Sequence, residues 1–316
     1  MSPTIACVVP CHNEETAVAT VVRDLRAALP EAEIYVYDNR STDRTAEVAR
    51  EAGATVRQEL RKGKGNVIRR AFADIDADAL VLIDGDDTYE AARARDMVDL
   101  LFEGPYDQVL GVRHQTCDGA YRAGHAAGNR LLTGSVRALF GHEVTDMLSG
   151  YRVFSRRFVK SFPALSHQFE TETEMTVHAL KLRLPTAEVP VAYKDRPDGG
   201  ESKLHTYRDG WRILRVIANL ARRERPALVH AAVAGILALT ALLLGVPVIA
   251  EFLRTGTVPR IPTAILAAAL MTIAALVLLV GYILESVMHM RQEQSRLVHL
   301  AYPAPCKAAA PPEVTG

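Results

Sequence analysis

Two carboxylates on either side of one glycine, Asp84 and Asp86, are the residues of this sequence whose types and spacing best suit chemistry. They directly follow the apolar residues 81–83, a pattern that predicts a buried strand with polar side chains at its end. The glycine gives the turn enough freedom to aim both carboxylates at one hard cation such as Mg²⁺ or Mn²⁺. The alternative is an ordinary Asp-Gly turn that closes a hairpin. This stretch alone leaves both interpretations open.

The elements before this turn alternate between strand and helix. Short apolar runs predict strands at residues 5–9, 33–37 and 55–57, and apolar residues at helical spacing predict helices over 16–29 and 45–52. This order predicts an α/β fold with a doubly wound, mostly parallel sheet. Ligands of such sheets bind at the carboxyl ends of the strands, so the two carboxylates would face the ligand.

Two further polar groups follow predicted strands. Asp38 could accept a hydrogen bond from a base or a ribose hydroxyl, or it could cap the next helix in competition with its neighbours in residues 41–43. The basic loop of residues 61–66 contains two glycines and suits a phosphate-rich ligand. It lacks the spacing of a P-loop, and a solvated basic turn is the alternative.

Composition narrows the class of protein. Lys plus Arg equal Asp plus Glu at 37 each over 316 residues, so the bulk charge predicts no nucleic-acid partner. The cysteines have no metal-binding spacing and predict no disulfide framework; Cys7 and Cys11 are expected to be buried thiols. The first residues enter a short strand without a basic region or a long apolar run, so no cleavable signal peptide is expected.

The last third of the chain is predicted to form a membrane hairpin. Residues 228–250 and 263–284 are almost uninterrupted apolar sequence, each near the roughly 20 residues that a spanning helix needs. Residues 207–225 combine one apolar helical face with many arginines, which favours a helix on anionic lipid or, alternatively, one packed on a soluble domain. Two arginines, Arg254 and Arg260, lie in the short connecting loop.

More basic residues flank the outer ends of the hairpin than lie in its loop. This bias predicts that both chain ends and the first domain are cytoplasmic, in an integral protein of the inner (plasma) membrane. The predicted organisation is an α/β domain at 1–206, an amphipathic juxtamembrane helix at 207–226, the hairpin at 227–287, a second juxtamembrane helix at 288–302 and a disordered tail at 303–316.

Six segments together resemble family 2 glycosyltransferases with the GT-A fold. Four of them, in order, are residues 9–15 (Val-Pro-Cys-His-Asn-Glu-Glu), 38–45 (Asp-Asn-Arg-Ser-Thr-Asp-Arg-Thr), 62–65 (Lys-Gly-Lys-Gly) and 84–86 (Asp-Gly-Asp). The later segments, Asp-Met-Leu-Ser-Gly-Tyr-Arg at 146–152 and Asp-Arg-Pro-Asp-Gly-Gly-Glu-Ser-Lys-Leu at 195–204, resemble the polyisoprenyl-phosphate branch. That branch includes dolichyl-phosphate mannose synthases and bacterial undecaprenyl-phosphate glucosyltransferases. The resemblance covers residues 4–225 approximately.

The resemblance implies a nucleotide pocket and a metal site. The predicted nucleotide-binding residues are Pro10, Asn13, Glu15, Asp38, Lys64 and Asp84. Asp84 and Asp86 would hold a divalent cation, Mg²⁺ or Mn²⁺, against the diphosphate. Thr88, the third predicted ligand, stands where dolichyl-phosphate mannose synthases have a glutamine, so Asp87 and water remain alternatives.

The resemblance also implies an acceptor site for a lipid monophosphate. Such an acceptor is already anionic near neutral pH and needs cations to hold it in line more than it needs a strong base. The predicted catalytic set is Asp86, Arg113, Arg122, Arg196, Ser202 and Lys203. Asp146 could orient an arginine, bind a sugar hydroxyl or be structural. Of the acidic residues before a helix predicted at 175–182, Glu172 could face the sugar, while first-turn acidic residues generally suit the helix dipole.

The predicted activity is inverting, metal-dependent transfer of a sugar from a nucleotide sugar to a polyisoprenyl phosphate. A UDP-sugar is favoured; the sugar itself and the oligomeric state, a homo-oligomer included, stay open. One alternative is a processive polysaccharide synthase, although its usual Gln-x-x-Arg-Trp segment is missing, since the only tryptophan, Trp211, follows Asp209 and Gly210. Another is a non-catalytic membrane scaffold that binds a nucleotide sugar.

Overall fold

The computed structural model describes residues 3–115, 134, 145–165, 170–194 and 226–305. The chain divides into two compact units. The first comprises Met1–Gly210 and Gln294–Gly316, and the second comprises Trp211–Glu293.

One mixed sheet is the centre of the first unit. Within the described residues it has seven strands: β1 (Ile5–Cys11), β2 (Glu33–Asp38), β3 (Thr55–Gln58), β4 (Ala79–Leu82), β5 (Gln108–Gln115), β6 (Arg152–Ser155) and β7 (Thr186–Tyr193). The spatial order is β3-β2-β1-β4-β6-β5-β7. Strands β1 to β4 are parallel, β6 is antiparallel to both of its neighbours, and β7 is parallel to β5. The prediction of an α/β fold with a mostly parallel sheet is confirmed.

Helices connect the strands and cover the sheet. In the described part of the first unit they are α1 (Val18–Ala28), α2 (Thr45–Glu51), α3 (Lys64–Asp74), α4 (Ala94–Glu103), α5 (Arg156–Ser161) and α6 (Glu170–Leu182). Apolar residues every three or four positions explain α1, whose Val18, Val21, Val22 and Leu25 are all buried.

The core lies on both faces of the sheet because the central strands are apolar at every position. In β1, Cys7 and Val9 belong to the cluster that includes α1 and α4, whereas Ala6 and Val8 belong to the cluster on α3, α5 and α6. Successive side chains of a strand point to opposite faces, so a continuous apolar run is buried on both. Cys7 and Cys11 are buried free thiols, as predicted.

One helix begins earlier than its sequence pattern indicates. The prediction places Glu170, Glu172 and Glu174 before a helix at 175–182, but α6 already includes all three. The prediction was wrong because acidic residues at alternate positions resemble a helix entry. In the structure the side chain of Glu172 is buried inside the helix-bearing layer by its contact with Lys64, a contact between residues distant in sequence.

The second unit contains two long helices. Helix α7 spans Pro226–Thr255, and α8 spans Ile261–Leu300, whose last seven residues belong to the first unit. Both are long and apolar enough to cross a membrane. Helix α8 continues unbroken beyond residue 287, where the predicted hairpin ends and a second juxtamembrane helix was expected. Which part of α8 lies in the membrane stays a prediction.

Small residues form the contact between these two helices. A Cβ at Gly281 would lie 2.7 Å from Cβ of His230, and a Cβ at Gly245 would lie 3.5 Å from Cβ of Ala267. Alanines such as Ala241 are buried, while many large apolar side chains, including Leu243 at 68%, are exposed. Small residues inside and large apolar residues outside are typical of helices packed in lipid.

Candidate active site

The sheet topology brings the predicted site residues to one edge. Parallel β1, β2 and β4 end there, and Asp84 lies two residues after Leu82, the last residue of β4. Antiparallel β6 starts at the same edge, because Arg152 pairs with Leu82. The segment 146–150, which precedes β6, therefore lies beside the carboxylate turn, although it is far away in sequence.

Backbone strain is concentrated in the loops at this edge. Asn13, Arg40 and Asp87 have φ values of 59°, 64° and 54°, in the left-handed region that residues other than glycine seldom adopt. Each lies just after one of the strands β1, β2 or β4. Such conformations cost about 1–3 kcal/mol each and often cluster at functional sites.

Side chains of the β1 and β2 loops hold one another. Asn13 Oδ1 accepts from the Thr42 amide at 2.8 Å, and Glu15 Oε2 accepts from the Arg44 amide at 2.9 Å. Asp38 is buried and its Oδ1 accepts from the Ser41 amide at 3.1 Å, so it closes a turn. The capping alternative for Asp38 is not what the structure shows.

A different carboxylate, that of Asp43, contacts the beginning of α2. Asp43 Oδ1 accepts from the amide of Thr45, the first residue of α2, at 3.0 Å. Asp38 lies at the end of β2 and stays at the ligand edge of the sheet. Its position is therefore compatible with the predicted contact to a base or a ribose.

The basic loop is shaped by the side chain of Asn39. Its Nδ2 donates to the Glu59 and Arg61 carbonyls at 2.9 and 2.8 Å, and its Oδ1 accepts from the Gly63 amide at 2.7 Å. Gly63 has φ of 127°, which favours glycine, and α3 begins at the next residue, Lys64. The solvated-turn alternative fits the exposed Arg61, but it does not fit Lys64, whose side chain is only 11% exposed.

Lys64 joins two carboxylates from distant parts of the chain. Its Nζ is paired with Asp84 Oδ1 and lies 2.6 Å from Glu172 Oε1. Burial alone would lower the pKa of this ammonium, but the two negative charges outweigh burial and raise its pKa well above the usual value. Lys64 is therefore a positively charged ammonium that lies between two carboxylates at this turn.

Two glycines allow the groups around Asp84 to approach closely. A Cβ at Gly150 would overlap Asp84 Oδ2 and lie 3.0 Å from Lys64 Nζ. A Cβ at Gly85 would overlap Cys11 Sγ and lie 3.3 Å from the Pro10 carbonyl oxygen. Neither position has room for a side chain unless the site shifts.

Asp86 is held by its neighbour Thr88. Asp86 Oδ1 accepts from the Thr88 hydroxyl at 2.6 Å and from the Thr88 amide at 3.3 Å. Both residues are buried, at 8% and 2% exposure. The hydroxyl of Thr88 thus orients Asp86, and its predicted role as a metal ligand stays a prediction.

Arg113, at the carboxyl end of β5, is bound by Asp146. Its Nε and Nη2 donate to the two Asp146 oxygens, each at 2.7 Å, and its guanidinium lies 5.4 Å from the ring centre of Tyr193. Paired contacts of this kind fix a guanidinium plane. Of the three interpretations of Asp146, the structure agrees with the one in which it orients an arginine.

A buried arginine supports the segment 146–150. Arg152 is fully buried and donates to the carbonyls of Ser149 and Met147 and to the Thr176 hydroxyl, each at 2.9 Å. Burial lowers the pKa of its guanidinium to about 10, while the negative charge of Glu172 opposes that shift. The Thr176 contact links this segment to α6, the helix of Glu172.

The donor set suits a hard divalent cation in part. Asp84 and Asp86 supply carboxylate oxygens on one turn, as Mg²⁺ and Mn²⁺ prefer. Among the residues that the structure describes, no three His, Cys, Asp or Glu side chains form a ready-made metal cluster. Besides Thr88, the predicted third ligand, a bound diphosphate and water would complete the coordination, a usual arrangement for a cation that bridges protein and phosphate.

Comparisons with known proteins identify the family. The model of "Glycosyl transferase family 2" matches residues 6–162. Glycosyltransferase AglJ of Haloferax volcanii is 37% identical over 228 residues, which cover 71% of this chain and 75% of AglJ. The chain belongs to glycosyl transferase family 2.

Two further similarities bear on this glycosyltransferase. A dolichyl-phosphate hexose transferase of Haloferax volcanii is 31% identical over 226 residues, which cover 70% of this chain and 95% of that protein. The glucosyl-3-phosphoglycerate synthase of Mycobacterium tuberculosis, solved with Mn²⁺, uridine diphosphate and glucosyl-3-phosphoglycerate, has a TM-score of 0.55 and 25% identity. That match covers 70% of this chain and 80% of the synthase.

The glycosyltransferase structure groups its predicted site residues into sets. Lys64, Asp84, Asp86 and Thr88 lie on or beside the carboxylate turn. At the same edge of the sheet lie Pro10, Asn13, Glu15, Asp38 and Arg113. The predicted acceptor residues outside the described part of the chain are Arg122, Arg196, Ser202 and Lys203.

Sequence reasoning missed several partners of this glycosyltransferase site. It did not predict the contact of Glu172 with Lys64, the close approach of Gly150 to Asp84, or the support by Arg152. Tyr89 was also missed, although its hydroxyl accepts from the Gly150 amide at 2.9 Å. Gly150 and Arg152 could have been suspected only because they belong to the segment 146–152, which carries the family resemblance.

Proposed function

We propose that this glycosyltransferase moves one sugar from a nucleotide diphosphate sugar to a polyisoprenyl phosphate, with inversion at the anomeric carbon and with the help of a divalent cation. The observation that supports this most is the cluster of Asp84, Asp86 and Lys64 at the carboxyl edge of β4. It combines carboxylates for a cation with a buried ammonium for a phosphate. Both are needed where a nucleoside diphosphate leaves.

The donor would bind across the ends of β1, β2 and β4. Asn13, Glu15 and Asp38 would face the nucleoside, and Lys64 would face the diphosphate. A bound Mg²⁺ or Mn²⁺, held by Asp84 and Asp86, would supply positive charge to the leaving diphosphate. A UDP-sugar is favoured because the similar synthase from Mycobacterium tuberculosis was solved with uridine diphosphate. The transferred group is a hexosyl or an N-acetylhexosaminyl residue.

The reaction is a single displacement. A phosphate oxygen of the acceptor forms a bond to the anomeric carbon, while the bond from that carbon to the donor's β-phosphate oxygen breaks. The electron pair stays on the nucleoside diphosphate. No proton has to be removed from an acceptor that is already anionic, which is why the described site needs cations more than a general base.

The acceptor proposal rests on the relatives and on the second unit. The similar dolichyl-phosphate hexose transferase is named for a lipid phosphate. Two of the described helices could cross a membrane, which would keep the enzyme at the inner (plasma) membrane, where such a lipid resides. Arg113 would hold the acceptor phosphate together with Arg122, Arg196, Ser202 and Lys203. The catalytic domain would lie on the cytoplasmic side, where nucleotide sugars are made.

A donor and acceptor screen tests this proposal. The purified full chain is incubated with Mn²⁺, undecaprenyl or dolichyl phosphate, and labelled UDP- or GDP-sugars one at a time. We expect label in a lipid-extractable product with at least one donor. Long water-soluble polymer would favour a polysaccharide synthase instead, and no product with any donor would support a non-catalytic scaffold.

A further inference from the structure

Only one of the two carboxylate oxygens of Glu172 has a partner among the described residues. Its side chain is 4% exposed, and its Oε1 lies 2.6 Å from Lys64 Nζ. Its Oε2 is buried and has no hydrogen-bond partner among the described residues. A buried carboxylate oxygen without a donor is costly, so this atom is available for a contact that is not made in the state described here.

Lys64 stands where it would compete with a cation. Its ammonium is paired with Asp84, the same carboxylate that is proposed to bind the divalent cation. A divalent cation and an ammonium at one carboxylate repel each other, and solvent screens this repulsion only partly because the Lys64 side chain is 11% exposed. Binding of the cation at Asp84 is therefore favoured when the ammonium moves off this carboxylate.

The surroundings of Lys64 restrict where its ammonium can go. The backbone of Gly150 packs against it, since a Cβ there would lie only 3.0 Å from Nζ. Glu172 is already in contact and has a second oxygen without a donor. The shortest displacement of the ammonium is thus away from Asp84 and fully onto Glu172.

We propose that Glu172 is a positioning residue that takes Lys64 from Asp84 when the divalent cation binds. This inference rests on the proposed function. In the state described here the ammonium of Lys64 lies between Asp84 and Glu172 and offsets the repulsion between these two carboxylates. With the cation bound, both oxygens of Glu172 hold the ammonium, which remains close enough to face the donor diphosphate. Glu172 thus acts on the metal site through Lys64.

Manganese binding to the purified full chain tests this exchange without an activity assay. Mn²⁺ affinity is measured by electron paramagnetic resonance, with and without uridine diphosphate, for wild type, Glu172→Gln, Lys64→Met and the double variant. We expect Glu172→Gln to weaken Mn²⁺ binding about tenfold, because Lys64 then stays on Asp84. Lys64→Met should strengthen binding in the absence of nucleotide, since the competing ammonium is gone.

The double variant separates a positioning role from a simple charge effect. If Glu172 acts through Lys64, adding Glu172→Gln to Lys64→Met changes the Mn²⁺ affinity less than about twofold, well below the effect in wild type. An equal loss in both backgrounds would show that Glu172 acts by its own charge and would overturn the inference. Unchanged Mn²⁺ binding in Glu172→Gln would overturn it as well.

A matched control lies two residues along the same helix. Glu174 Oε1 accepts from the Leu165 amide at 2.9 Å, a contact that a glutamine can also make. Glu174→Gln removes the same charge from α6 and should leave Mn²⁺ affinity unchanged. Thermal unfolding of each variant checks that it is folded. Failure of wild type to bind Mn²⁺ would count against the metal in the proposed function itself, whereas wild-type binding with any overturning result counts against the exchange alone.

Discussion

At the scale of single residues, the site is a set of charges held at fixed distances. Asp84 could be predicted from sequence because the buried apolar run of β4 and Ile83 ends immediately before it. The pairing of Lys64 with Glu172 could not, since it depends on how α3 and α6 pack beside each other. The same holds for Gly150, whose lack of a side chain matters only because antiparallel β6 places it against Asp84.

Asp86→Asn tests the second carboxylate of the turn. The amide oxygen can still accept from Thr88, so the fold should be kept, but the negative charge for the cation is lost. We expect transfer to fall at least about 100-fold, with little change in the thermal unfolding midpoint. Asp99→Asn, at a 40% exposed position on α4, is the control and should be fully active. Normal activity of Asp86→Asn would remove Asp86 from the metal site.

Gly150→Ala tests the close packing around Asp84. The added Cβ would overlap Asp84 Oδ2 and press on Lys64, so both side chains must move. Misplacement by about 1 Å at a catalytic site costs roughly 100-fold in rate, and we expect a loss of that size in sugar transfer. Gly235→Ala, at a glycine with no atom within 4 Å of the added Cβ, is the matched control. Equal activities of the two variants would contradict this geometry.

At the scale of secondary structure, the parallel strands β1 to β4 were predictable, whereas the antiparallel strand β6 and the beginning of α6 were not. Apolar runs and helical spacing indicated β1, β2, β3 and the two helices that connect them, α1 and α2, to within a few residues. The beginning of α6 was missed because its acidic residues have the pattern of a helix entry, whereas Glu172 is in fact buried by its contact with Lys64. Local pattern cannot reveal a charge that is neutralised by a distant element.

Helix α6 also carries a buried histidine that should make the stability depend on pH. His178 lies 3.1 Å from the Ser161 hydroxyl and packs against two phenylalanines, Phe158 and Phe162. Burial lowers the pKa of His178 to about 3, from the usual 6.5, and the nearby charges of His299 and Lys181 act in the same direction. The folded protein therefore keeps His178 neutral at pH values where the unfolded chain protonates it.

The lowered pKa of His178 determines the direction and the size of the change in folding stability with pH. Between about pH 6.5 and pH 3 the unfolded state binds the extra proton, so stability falls as the pH falls, by about 2 kcal/mol at pH 5 from this group. Thermal unfolding of wild type and His178→Gln at pH 7.5 and pH 5 measures it. We expect the drop between the two pH values to be smaller in the variant; identical drops would contradict the assignment.

At the scale of the whole molecule, hydropathy and charge were the useful signals. The length of the two apolar runs predicted α7 and the first part of α8, and the structure has helices there that could cross a membrane. The balance of Lys plus Arg against Asp plus Glu gave no sign of a nucleic-acid partner. Orientation in the membrane rests on the arginine distribution alone and stays a prediction.

Cysteine labelling in intact cells tests that orientation. Thr257→Cys places a thiol in the exposed loop between α7 and α8, and Arg44→Cys places one on the first unit, where the arginine side chain is 64% exposed. Both are made with Cys117 and Cys306 replaced by serine, while Cys7 and Cys11 are buried. A membrane-impermeant maleimide should label Thr257→Cys in intact cells and Arg44→Cys only after lysis. The reverse pattern would place the catalytic domain outside.

The measurement that tests the central claim most directly is the mass of the lipid product. The purified full chain is incubated with undecaprenyl phosphate and each nucleotide sugar, with Mn²⁺ or with a chelator, and the lipid fraction is analysed by mass spectrometry. We predict that one donor increases the lipid mass by a single sugar residue, and that this happens only when the cation is present. An unchanged lipid with every donor, or the same product in the presence of the chelator, would contradict the account.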